Sequence, residues 1–353
     1  MASHLVFVVM PQVQSADDLR RRVDDELLAF LRTERASVDP DARPLVDELE
    51  ALTRAGGKRL RPRFCYWGFR AGGGADCVEI IRVGAALELL HTFALIFDDV
   101  MDRSPVRRRR PAAFKGLEAG RTEGLFGVSA ALLSGLLGFV LADRLLWTSG
   151  FGGDRLRRIT ERFDRMRMRA IGGQYLDILA ARRRDASEEM IRRIGALKSG
   201  AYTVVDPLAI GALAAGASDD VLRPLAAYGA PLGESFQIVD DILGTFGDPS
   251  KTGKDRDGDL REGKQTVLLA RTRRLADAQD RSFLDATVGN ALEPEAADVV
   301  REIMVRSGAL ESTRSLAASL ADEAIAALAP GDLPTDAVDA LHQLAAEATL
   351  RDA

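Results

Sequence analysis

The sequence predicts an all-α protein built of about ten or more helices. Alanine and leucine abound, aromatic residues make up only 6% of the chain, and runs of β-branched residues are few. That composition favours helices over sheet, and no stretch shows a convincing strand pattern. No period of about 20–50 residues repeats along the chain, which argues against a solenoid.

Length and charge limit the classes of function. The 353 residues are enough for one large domain or two ordinary ones, and 46% hydrophobic content predicts a sizeable core. With 48 Lys+Arg against 53 Asp+Glu, the chain is mildly acidic but carries clusters of arginine. This pattern fits small anionic ligands better than nucleic acid, which favours a basic domain. Two cysteines offer no disulfide framework, so a cytoplasmic location is expected.

The chain start is expected to lie outside the folded part. Residues 1–15 are predicted to be disordered, and residues 16–353 are predicted to form a single all-helical domain. The apolar stretch Leu5–Met10 is too short to cross a bilayer and lacks a basic leader. No transmembrane helix is predicted, so we expect a soluble protein.

After an amphipathic helix near residues 16–34, the chain reaches the basic segment Gly57–Pro62. Its glycines allow the backbone to approach a ligand. Lys58 and Arg61 are three residues apart and could share one face of a helix. By itself the segment indicates either a phosphate site or a plain junction between a loop and a helix.

A long apolar helix is predicted next. Asp76 and Glu79 resemble a capping box, and no proline follows until Pro105. A helix of about 25–28 residues, ~40 Å long, would fit this interval. Its sides are apolar nearly all round, so we expect it to be central and buried.

This helix ends in the aspartates Asp98, Asp99 and Asp102. Asp98 and Asp102 are four residues apart and lie on one face of a helix, with Asp99 about 100° further round. Like charges at this spacing repel, so either a divalent cation neutralises them or the helix end is simply solvated. Mg²⁺ suits such oxygens because it binds one or two carboxylates together with substrate phosphates. His91 shares their face, as a ligand or as a core residue.

Two further helices are predicted over residues 124–146 and 155–180, the second with a Gly172-Gly173 pair that permits close packing. Ser187 should begin another helix, with a kink at Ser199-Gly200 and a bend or break at Pro207. Lys198 lies in an apolar stretch of this helix. It either binds an anion or extends along the surface to water.

A second acidic motif follows a helical region that Ser218 should cap and Pro231 should interrupt. Gln237, Asp240 and Asp241 are spaced so that all three can address one site. A loop rich in Gly, Asp and Lys succeeds them over residues 247–266, and helices return to the end. Two carboxylate clusters with cations around them describe a clamp for a diphosphate bridged by magnesium.

Five motifs of the chain occur in the order found in a known family. They are GKRLRP at Gly57–Pro62, DDVMD at Asp98–Asp102 with Arg107-Arg108, GGQYLD at Gly172–Asp177, Lys198-Ser199, and FQIVDD…GDPSKTGK over Phe236–Lys254. On these motifs the chain resembles the trans-isoprenyl diphosphate synthases, or polyprenyl synthetases, over residues 51–270. The resemblance implies a single-domain bundle of long helices around a deep central apolar cavity, and a homodimer.

The resemblance also assigns roles to residues of this chain. It implies about three Mg²⁺ ions held by Asp98, Asp102 and Asp240, with Asp99 and Asp241 supporting them. The allylic diphosphate would be bound by Arg107, Lys198 and Lys254. Isopentenyl diphosphate would be bound by Lys58, Arg61, His91 and Arg108. Gln237 would face the developing cation, and Lys264 would be a further basic residue of the site.

The implied reaction is ionisation of the allylic diphosphate, condensation with isopentenyl diphosphate and elimination of a proton. Product length would be set by side chains preceding the first motif. Phe93 lies five residues before Asp98 and Ala94 four, a combination that resembles geranylgeranyl diphosphate synthases. A farnesyl or longer-chain synthase is the alternative, in which Phe93 only packs the core.

Three departures from the family pattern stand out. Gly244 replaces a third aspartate of the second motif, Phe97 replaces a histidine, and Arg109 replaces a glycine after the arginine pair. Two rival functions are a class I terpene cyclase and a non-catalytic partner subunit. A class I terpene cyclase would carry an Asn/Asp–Ser/Thr–Glu metal triad, and a non-catalytic partner subunit should have lost aspartates or basic residues.

Overall fold

The computed structural model describes residues 15–118, 125–184, 186–248, 256–290, 292–328 and 333–349. Its architecture is all-α, as predicted, with one two-residue strand pair that the sequence did not predict. Residues 1–14 and Lys254 lie outside the described residues, so the predictions for them stay predictions. Residues 15 and 16 already belong to the first helix and its cap.

The first part of the chain forms the helices that carry the first acidic motif. In order these are α1 (Ala16–Ser37), a 3₁₀ turn (Pro40–Ala42), α2 (Arg43–Arg54), α3 (Leu60–Ala71), α4 (Val78–Met101), the strands β1 (Val106–Arg107) and β2 (Arg110–Pro111), α5 (Ala113–Glu118), α6 (Phe126–Trp147) and α7 (Gly153–Arg183).

The second part continues with α8 (Glu188–Gly195), a π-helix (Ala196–Val205), α9 (Asp206–Ala215), α10 (Asp219–Phe246), α11 (Gly258–Glu262), α12 (Val267–Leu275), α13 (Ala278–Thr287), α14 (Pro294–Arg306), α15 (Ala309–Ala326) and α16 (Thr335–Thr349).

Helix α4 is central, as its apolar composition predicts. It packs against α1, α2, α3 and α6, and its side chains at Val83, Leu87, Leu90 and Ile96 are buried. The surrounding core includes residues of α1, α2, α3, α6, α7 and α9. Because this core holds α4 on all sides, the three aspartates at its end are placed on a rigid element.

Helix α10 carries the second acidic motif and is also packed within the core. Ile238 and Ile242 join a core cluster with α11 to α15, whereas Leu225, Tyr228 and Leu232 join a second cluster with α3, α9, α15 and α16. The Tyr228 hydroxyl donates a hydrogen bond to the carbonyl of Leu341 at 2.6 Å. The second motif is therefore also carried by a helix packed on several sides.

The capping box predicted at the start of α4 does not form. Cys77 is the N-cap residue and makes no side-chain capping bond, and the helix has 24 residues rather than 25–28. Asp76 instead accepts two hydrogen bonds from Arg22 of α1, at 2.8 and 3.0 Å. A buried ion pair to another helix has replaced the local capping bond, which sequence spacing could not reveal.

The helix after Ser187 is broken in a way that the sequence only partly predicts. Ser187 caps α8 by accepting a hydrogen bond from the backbone N–H of Met190, as expected. The kink predicted at Ser199-Gly200 is a π-helix, and Pro207 then lies in the first turn of α9, where a missing N–H costs little. A Cβ at Gly173 of α7 would clash with the backbone of Lys198, so this glycine brings α7 against the π-helix.

The interruption predicted at Pro231 is wrong. Helix α10 runs without a break from Asp219 to Phe246 and contains both Pro224 and Pro231. Proline removes one backbone hydrogen bond from the helix but does not force a break where packing is strong. Pro231 is buried beside Leu232 in such packing. Ser218 occupies the N-cap position but forms no side-chain capping bond.

The strand pair explains why the backbone of Arg109 is left-handed. Arg107 pairs with Arg110, so Arg108 and Arg109 form a two-residue turn with φ values of 50° and 61°. Positive φ at both central positions defines a type I′ turn, which favours glycine. Arg109 therefore holds a left-handed conformation at the position where the family pattern has glycine.

We expect Arg109→Gly to be more stable than Arg109→Ala by about 1 kcal/mol, because only glycine adopts the left-handed region without steric cost. Both substitutions delete the same side chain, so their difference isolates the backbone effect. Urea unfolding of the two variants measures it. Equal unfolding midpoints would show that this turn is not strained.

Two described helices are long and apolar enough to cross a membrane by composition alone, namely α4 and α6. The most apolar window of α4 is 67% buried, and that of α6 is 44% buried. Burial of α4 within the helical core accounts for its apolar character. Helix α6 keeps apolar side chains exposed, among them Leu133, Leu136 and Val140.

Candidate active site

The first acidic motif lies at the C-terminal end of α4. Asp98 and Asp99 are in its last turn, Asp102 is the C-cap residue, and that turn contains no basic residue. The negative end of a helix dipole disfavours carboxylates, by about 0.3–1 kcal/mol each at exposed sites. Burial and the charge of Asp98 raise the pKa of Asp102 to about 6. Three acids at this end of a helix are stabilised only if cations compensate them.

Arg107 supplies one of these cations. Its Nε donates a hydrogen bond to Oδ1 of Asp99 at 2.8 Å, and its Nη2 contacts the same oxygen. Asp99 is only 1% exposed. The pair ties the strand β1 to the end of α4 and fixes the orientation of the guanidinium. The predicted role of Arg107 towards a diphosphate therefore depends on a side chain that Asp99 already orients.

The second acidic motif lies one turn before the end of α10. Asp240 and Asp241 are adjacent, and Gln237 donates a hydrogen bond from its amide nitrogen to Oδ1 of Asp241 at 2.7 Å. Lys264 reaches the same oxygen at 3.1 Å. Burial raises the pKa of Asp241 to about 6, and the charge of Lys264 opposes this effect. Gln237, predicted to face a cation, is thus also a partner of the acidic motif.

Lys198 connects the first motif to α7. Its Nζ lies 2.7 Å from Oδ2 of Asp177 and 3.9 Å from Oδ1 of Asp98. Burial lowers the pKa of this lysine, but the charges of Asp98 and Asp177 outweigh it, so its pKa is raised. The π-helix places the ammonium group here. The interpretation that Lys198 extends to the surface is wrong.

Lysine side chains link the two acidic motifs. Lys198, which lies 3.9 Å from Asp98, lines a cavity together with Gln237, Asp241 and Lys264, whereas no aspartate of the first motif lines this cavity. The positive charge of Lys264 acts on Asp102 as well as on Asp241. The motifs therefore share one electrostatic environment, although they are more than a hundred residues apart in sequence.

The donor set fits magnesium. Burial, together with the charge of Asp102, raises the pKa of Glu262 in α11 to about 7, so another acid near the motifs is destabilised in its charged form. Among the described residues, no three acidic, histidine or cysteine side chains are close enough to hold a metal by themselves. The carboxylates of the two motifs are hard oxygen donors, which Mg²⁺ binds one or two at a time together with water and substrate phosphates. Asp98, Asp102 and Asp240 are the residues that would hold it.

A second basic cluster lies near the acidic motifs, since the charge of Asp240 acts on Arg61. Arg61 donates a hydrogen bond to the hydroxyl of Thr203 at 2.9 Å, and its guanidinium lies 4.4 Å above the ring of Tyr202. Arg108 donates to the carbonyl of Leu52 at 3.0 Å. Burial lowers the pKa of Arg61 and of Arg108. Two partly desolvated guanidinium groups favour an anion between them.

His91 belongs to the same cluster. Burial, reinforced by the charges of Arg61 and Arg108, lowers its pKa well below the ordinary value, so the imidazole is neutral. Its Nδ1 is buried without a hydrogen-bond partner among the described residues. An orphaned buried nitrogen close to two cations is what a ligand-binding role predicts.

The prediction that Lys58 and Arg61 share a helix face is wrong. Helix α3 begins at Leu60, so Lys58 precedes it and is exposed. The intervening Arg59 is the buried member of the segment. It donates hydrogen bonds to Asp24 at 2.6 Å and to Glu88 at 2.7 Å, and so anchors the loop to α1 and α4.

Phe93 lies in a cluster of aromatic rings one turn and more before the aspartates. Its ring centroid is 4.6 Å from that of Phe97 and 5.1 Å from that of Phe139 on α6. All three rings are partly exposed rather than sealed in the core. Ala94 is also partly exposed. These rings form an apolar wall before the aspartates, where a residue that controls chain length would lie.

Sequence reasoning assigned no role to two acidic residues that the structure brings to the site. Asp177 binds Lys198, and Asp259 lies 3.7 Å from Lys264. Asp177 ends the quoted motif GGQYLD, which was the available signal. Asp259 lies in the loop rich in Gly, Asp and Lys, where nothing in the local pattern distinguishes it from its acidic neighbours.

The all-α fold and the facing acidic motifs define an isoprenoid synthase type of protein. The family model of the polyprenyl synthetases matches residues 43–305, and the chain belongs to that family. It is 32% identical over 263 residues to the geranylgeranyl diphosphate synthase of Sulfolobus acidocaldarius, covering 72% of this chain and 75% of that protein.

Two further relatives agree with this assignment. The geranylfarnesyl diphosphate synthase of Aeropyrum pernix is 34% identical over 272 residues, covering 75% of this chain and 81% of that one. The crystal structure of geranylgeranyl pyrophosphate synthase from Corynebacterium glutamicum, complexed with isoprenyl diphosphate and magnesium, matches with a TM-score of 0.90 and 33% identity, covering 96% of this chain and all of that one.

Proposed function

We propose that the chain is a trans-prenyltransferase that condenses isopentenyl diphosphate with an allylic diphosphate, head to tail, to make geranylgeranyl diphosphate. The observation that carries this proposal is the presence of two groups of cations near the acidic motifs. One combines the acidic motifs with Lys198 and Lys264. The other combines His91 with Arg61 and Arg108. A condensation of two diphosphates needs both.

In this mechanism the carbon–oxygen bond of the allylic substrate breaks, the diphosphate group leaves with the electron pair, and an allylic carbocation remains. Asp98, Asp102 and Asp240 would hold Mg²⁺, about three ions by the family resemblance, and the metal would supply positive charge that stabilises the leaving group. Lys198 adds a cation to this site, and Arg107 lies beside Asp99. Arg61 and Arg108 hold the second diphosphate so that its double bond attacks the allylic carbocation. The released diphosphate takes the proton that is lost.

Two rival functions lack a matching observation. A terpene cyclase ionises one diphosphate and has no use for the cluster of Arg61, Arg108 and His91. A non-catalytic partner subunit needs neither the aspartates nor the lysines that the two motifs retain. A farnesyl or longer-chain synthase stays the alternative for the product, because relatives of different product length match this chain.

Product analysis tests the proposal. We would incubate the purified chain with Mg²⁺, isopentenyl diphosphate and each allylic primer, and identify the dephosphorylated alcohols. Geranylgeraniol is the expected product. A shorter or longer alcohol would keep the chemistry and reject the product assignment. No elongation with any primer would support the partner-subunit alternative.

We further infer a homodimer from an exposed apolar face on α6 and α7, and we propose a cytoplasmic location because both cysteines are free thiols. Arg167 of α7 lies 2.7 Å from Asp143 of α6, so these helices are neighbours. The exposed apolar side chains recur every three to four residues on α7, a spacing that makes one stripe. The members of this face are Leu133, Leu136, Val140 and Trp147 on α6 and Met168, Ile171, Tyr175 and Ile178 on α7.

We expect the double substitution Ile171→Glu and Tyr175→Glu to convert a dimer into a monomer, because both side chains are more than half exposed on this face. Burying two added carboxylates against a second copy would cost several kcal/mol. Light scattering during size-exclusion chromatography measures the mass. Val305→Glu on α14, where the side chain is 56% exposed, is the matched control and should leave the mass unchanged. A monomeric unmodified chain would contradict the inference.

A further inference from the structure

Arg59 lies directly before helix α3, with a left-handed backbone (φ 49°) and a fully buried side chain. Its Nε donates a hydrogen bond to Asp24 of α1 at 2.6 Å, and its Nη1 donates to Glu88 of α4 at 2.7 Å. Its Nη1 and Nη2 also donate to the carbonyls of Gly56 at 3.1 Å and Thr53 at 2.6 Å. Two carboxylates from different helices therefore share one buried cation.

Glu88 lies in the interior of α4, and its side chain is only 3% exposed. It precedes His91 by three residues, so both side chains lie on one face of the helix. Its negative charge acts on the guanidinium groups of Arg59, Arg61 and Arg108. Among the described residues, Glu88 forms an ion pair with Arg59 alone. One buried carboxylate thus faces three cations and is bound to one of them.

The two other cations form hydrogen bonds to neutral groups. Arg61 donates to the hydroxyl of Thr203 and lies over the ring of Tyr202, and its Nε is buried without a hydrogen-bond partner in the described part of the chain. Arg108 donates to the carbonyl of Leu52. A neutral partner satisfies a donor but does not cancel its charge. Both guanidinium groups therefore keep a positive charge for a bound anion.

The same carboxylate affects the three guanidinium groups unequally. Burial lowers the pKa of Arg59, but the charge of Glu88 and the hydrogen bonds outweigh this effect, so its pKa is raised. Burial lowers the pKa of Arg61 and of Arg108, and the charge of Glu88 opposes this effect only in part. A Cβ built on Gly57 would lie 3.1 Å from Nη1 of Arg59 and 2.9 Å from Nη2 of Arg108, so these two groups are neighbours.

We propose that Arg59 is a positioning residue that holds the carboxylate of Glu88, so that Arg61 and Arg108 keep their positive charge for the diphosphate of isopentenyl diphosphate. Without Arg59, Glu88 would pair with a neighbouring guanidinium group and compete with that diphosphate. This inference rests on the proposed function, because it assumes that Arg61 and Arg108 bind a diphosphate. It gives Arg59 an electrostatic role in addition to its anchoring of the loop.

Calorimetry of isopentenyl diphosphate binding without Mg²⁺ tests this role, with melting curves to confirm that each variant is folded. Arg59→Gln removes the cation, Glu88→Gln removes the negative charge, and a double variant removes both. Arg59→Lys keeps the cation but cannot form all four hydrogen bonds that anchor the loop. Asp24→Asn is the matched control, because Asp24 binds the same guanidinium group and its loss leaves Glu88 paired.

We expect Arg59→Gln to weaken binding of isopentenyl diphosphate by about 10-fold or more, the size of effect when one hydrogen bond to a charged group is lost. Glu88→Gln should bind it as tightly as the unmodified chain or more tightly, because a negative charge beside the site is gone. The double variant should recover most of the affinity that Arg59→Gln loses. Arg59→Lys and Asp24→Asn should keep the affinity, and the KM for the allylic primer should change in none of these proteins.

Two results would overturn the inference. Either the folded Glu88→Gln protein binds isopentenyl diphosphate more weakly than the unmodified chain, or the double variant binds it no better than Arg59→Gln. The first result decides the matter even where Arg59→Gln does not fold. In both cases the proposed function would stand, because the unmodified chain would still bind isopentenyl diphosphate. If the unmodified chain does not bind it, the proposed function fails and the role of Arg59 fails with it.

Discussion

Replacing Asp98 by Asn should lower the rate of condensation by about 10²–10³-fold, the size of effect seen when one group that stabilises developing charge is removed. The substitution keeps the shape of the side chain and removes its charge. Asp98 is the first acid of the motif at the end of α4 and lies 3.9 Å from Lys198. Steady-state kinetics at saturating Mg²⁺ would measure the loss.

Stability separates this effect from simple unfolding. The three acids repel one another at the negative end of the α4 dipole, so Asp98→Asn should leave the melting temperature of the metal-free protein unchanged or slightly higher. Asp154→Asn at the exposed start of α7 is the matched control and should keep full activity. A near-normal rate for Asp98→Asn would reject its role as a magnesium ligand.

Replacing Phe93 by Ala should lengthen the product by one or more isoprene units. Removing the ring opens space between Phe97 and Phe139, which Phe93 now contacts at 4.6 and 5.1 Å between centroids. A growing chain could then pass the point where the ring stops it. Gas chromatography of the dephosphorylated products would detect the change. Because Phe93 is only partly buried, the loss of stability should be less than the ~3–5 kcal/mol typical of a fully buried phenylalanine.

The reciprocal change uses Ala94, which is four residues before Asp98 and so lies on the same face of α4. Ala94→Phe should shorten the product by narrowing the same space. Phe151→Ala is the matched control: it deletes a ring that packs on Phe69, 6.0 Å between centroids, away from the aspartates. An unchanged product from Phe93→Ala would place the floor of the cavity elsewhere.

Local sequence patterns predicted the helices that carry the site residues. The apolar run before Asp98 predicted a buried helix, because a helix without a polar face must be enclosed. Ser187 predicted the start of α8, since capping depends on neighbouring residues. The motif spacing predicted that Asp98 and Asp102 share a face, which the rise and turn of a helix impose.

Contacts between distant segments decided the helix starts and breaks that the sequence predicted wrongly. Asp76 binds Arg22 instead of capping α4, Pro231 is carried within an unbroken helix, and Lys58 lies outside the helix that contains Arg61. In each case a packing or ionic interaction with another helix outweighed a local preference. Such interactions have no fixed spacing in the sequence.

The sequence by itself determined the fold class, the family and the two acidic motifs, because helical periodicity and motif spacing act over a few residues. Only the tertiary structure decided which side chains from other helices surround the motifs. It placed Asp177 on Lys198 and Asp259 near Lys264. Charged side chains from distant parts of the sequence become related only when folding brings them together.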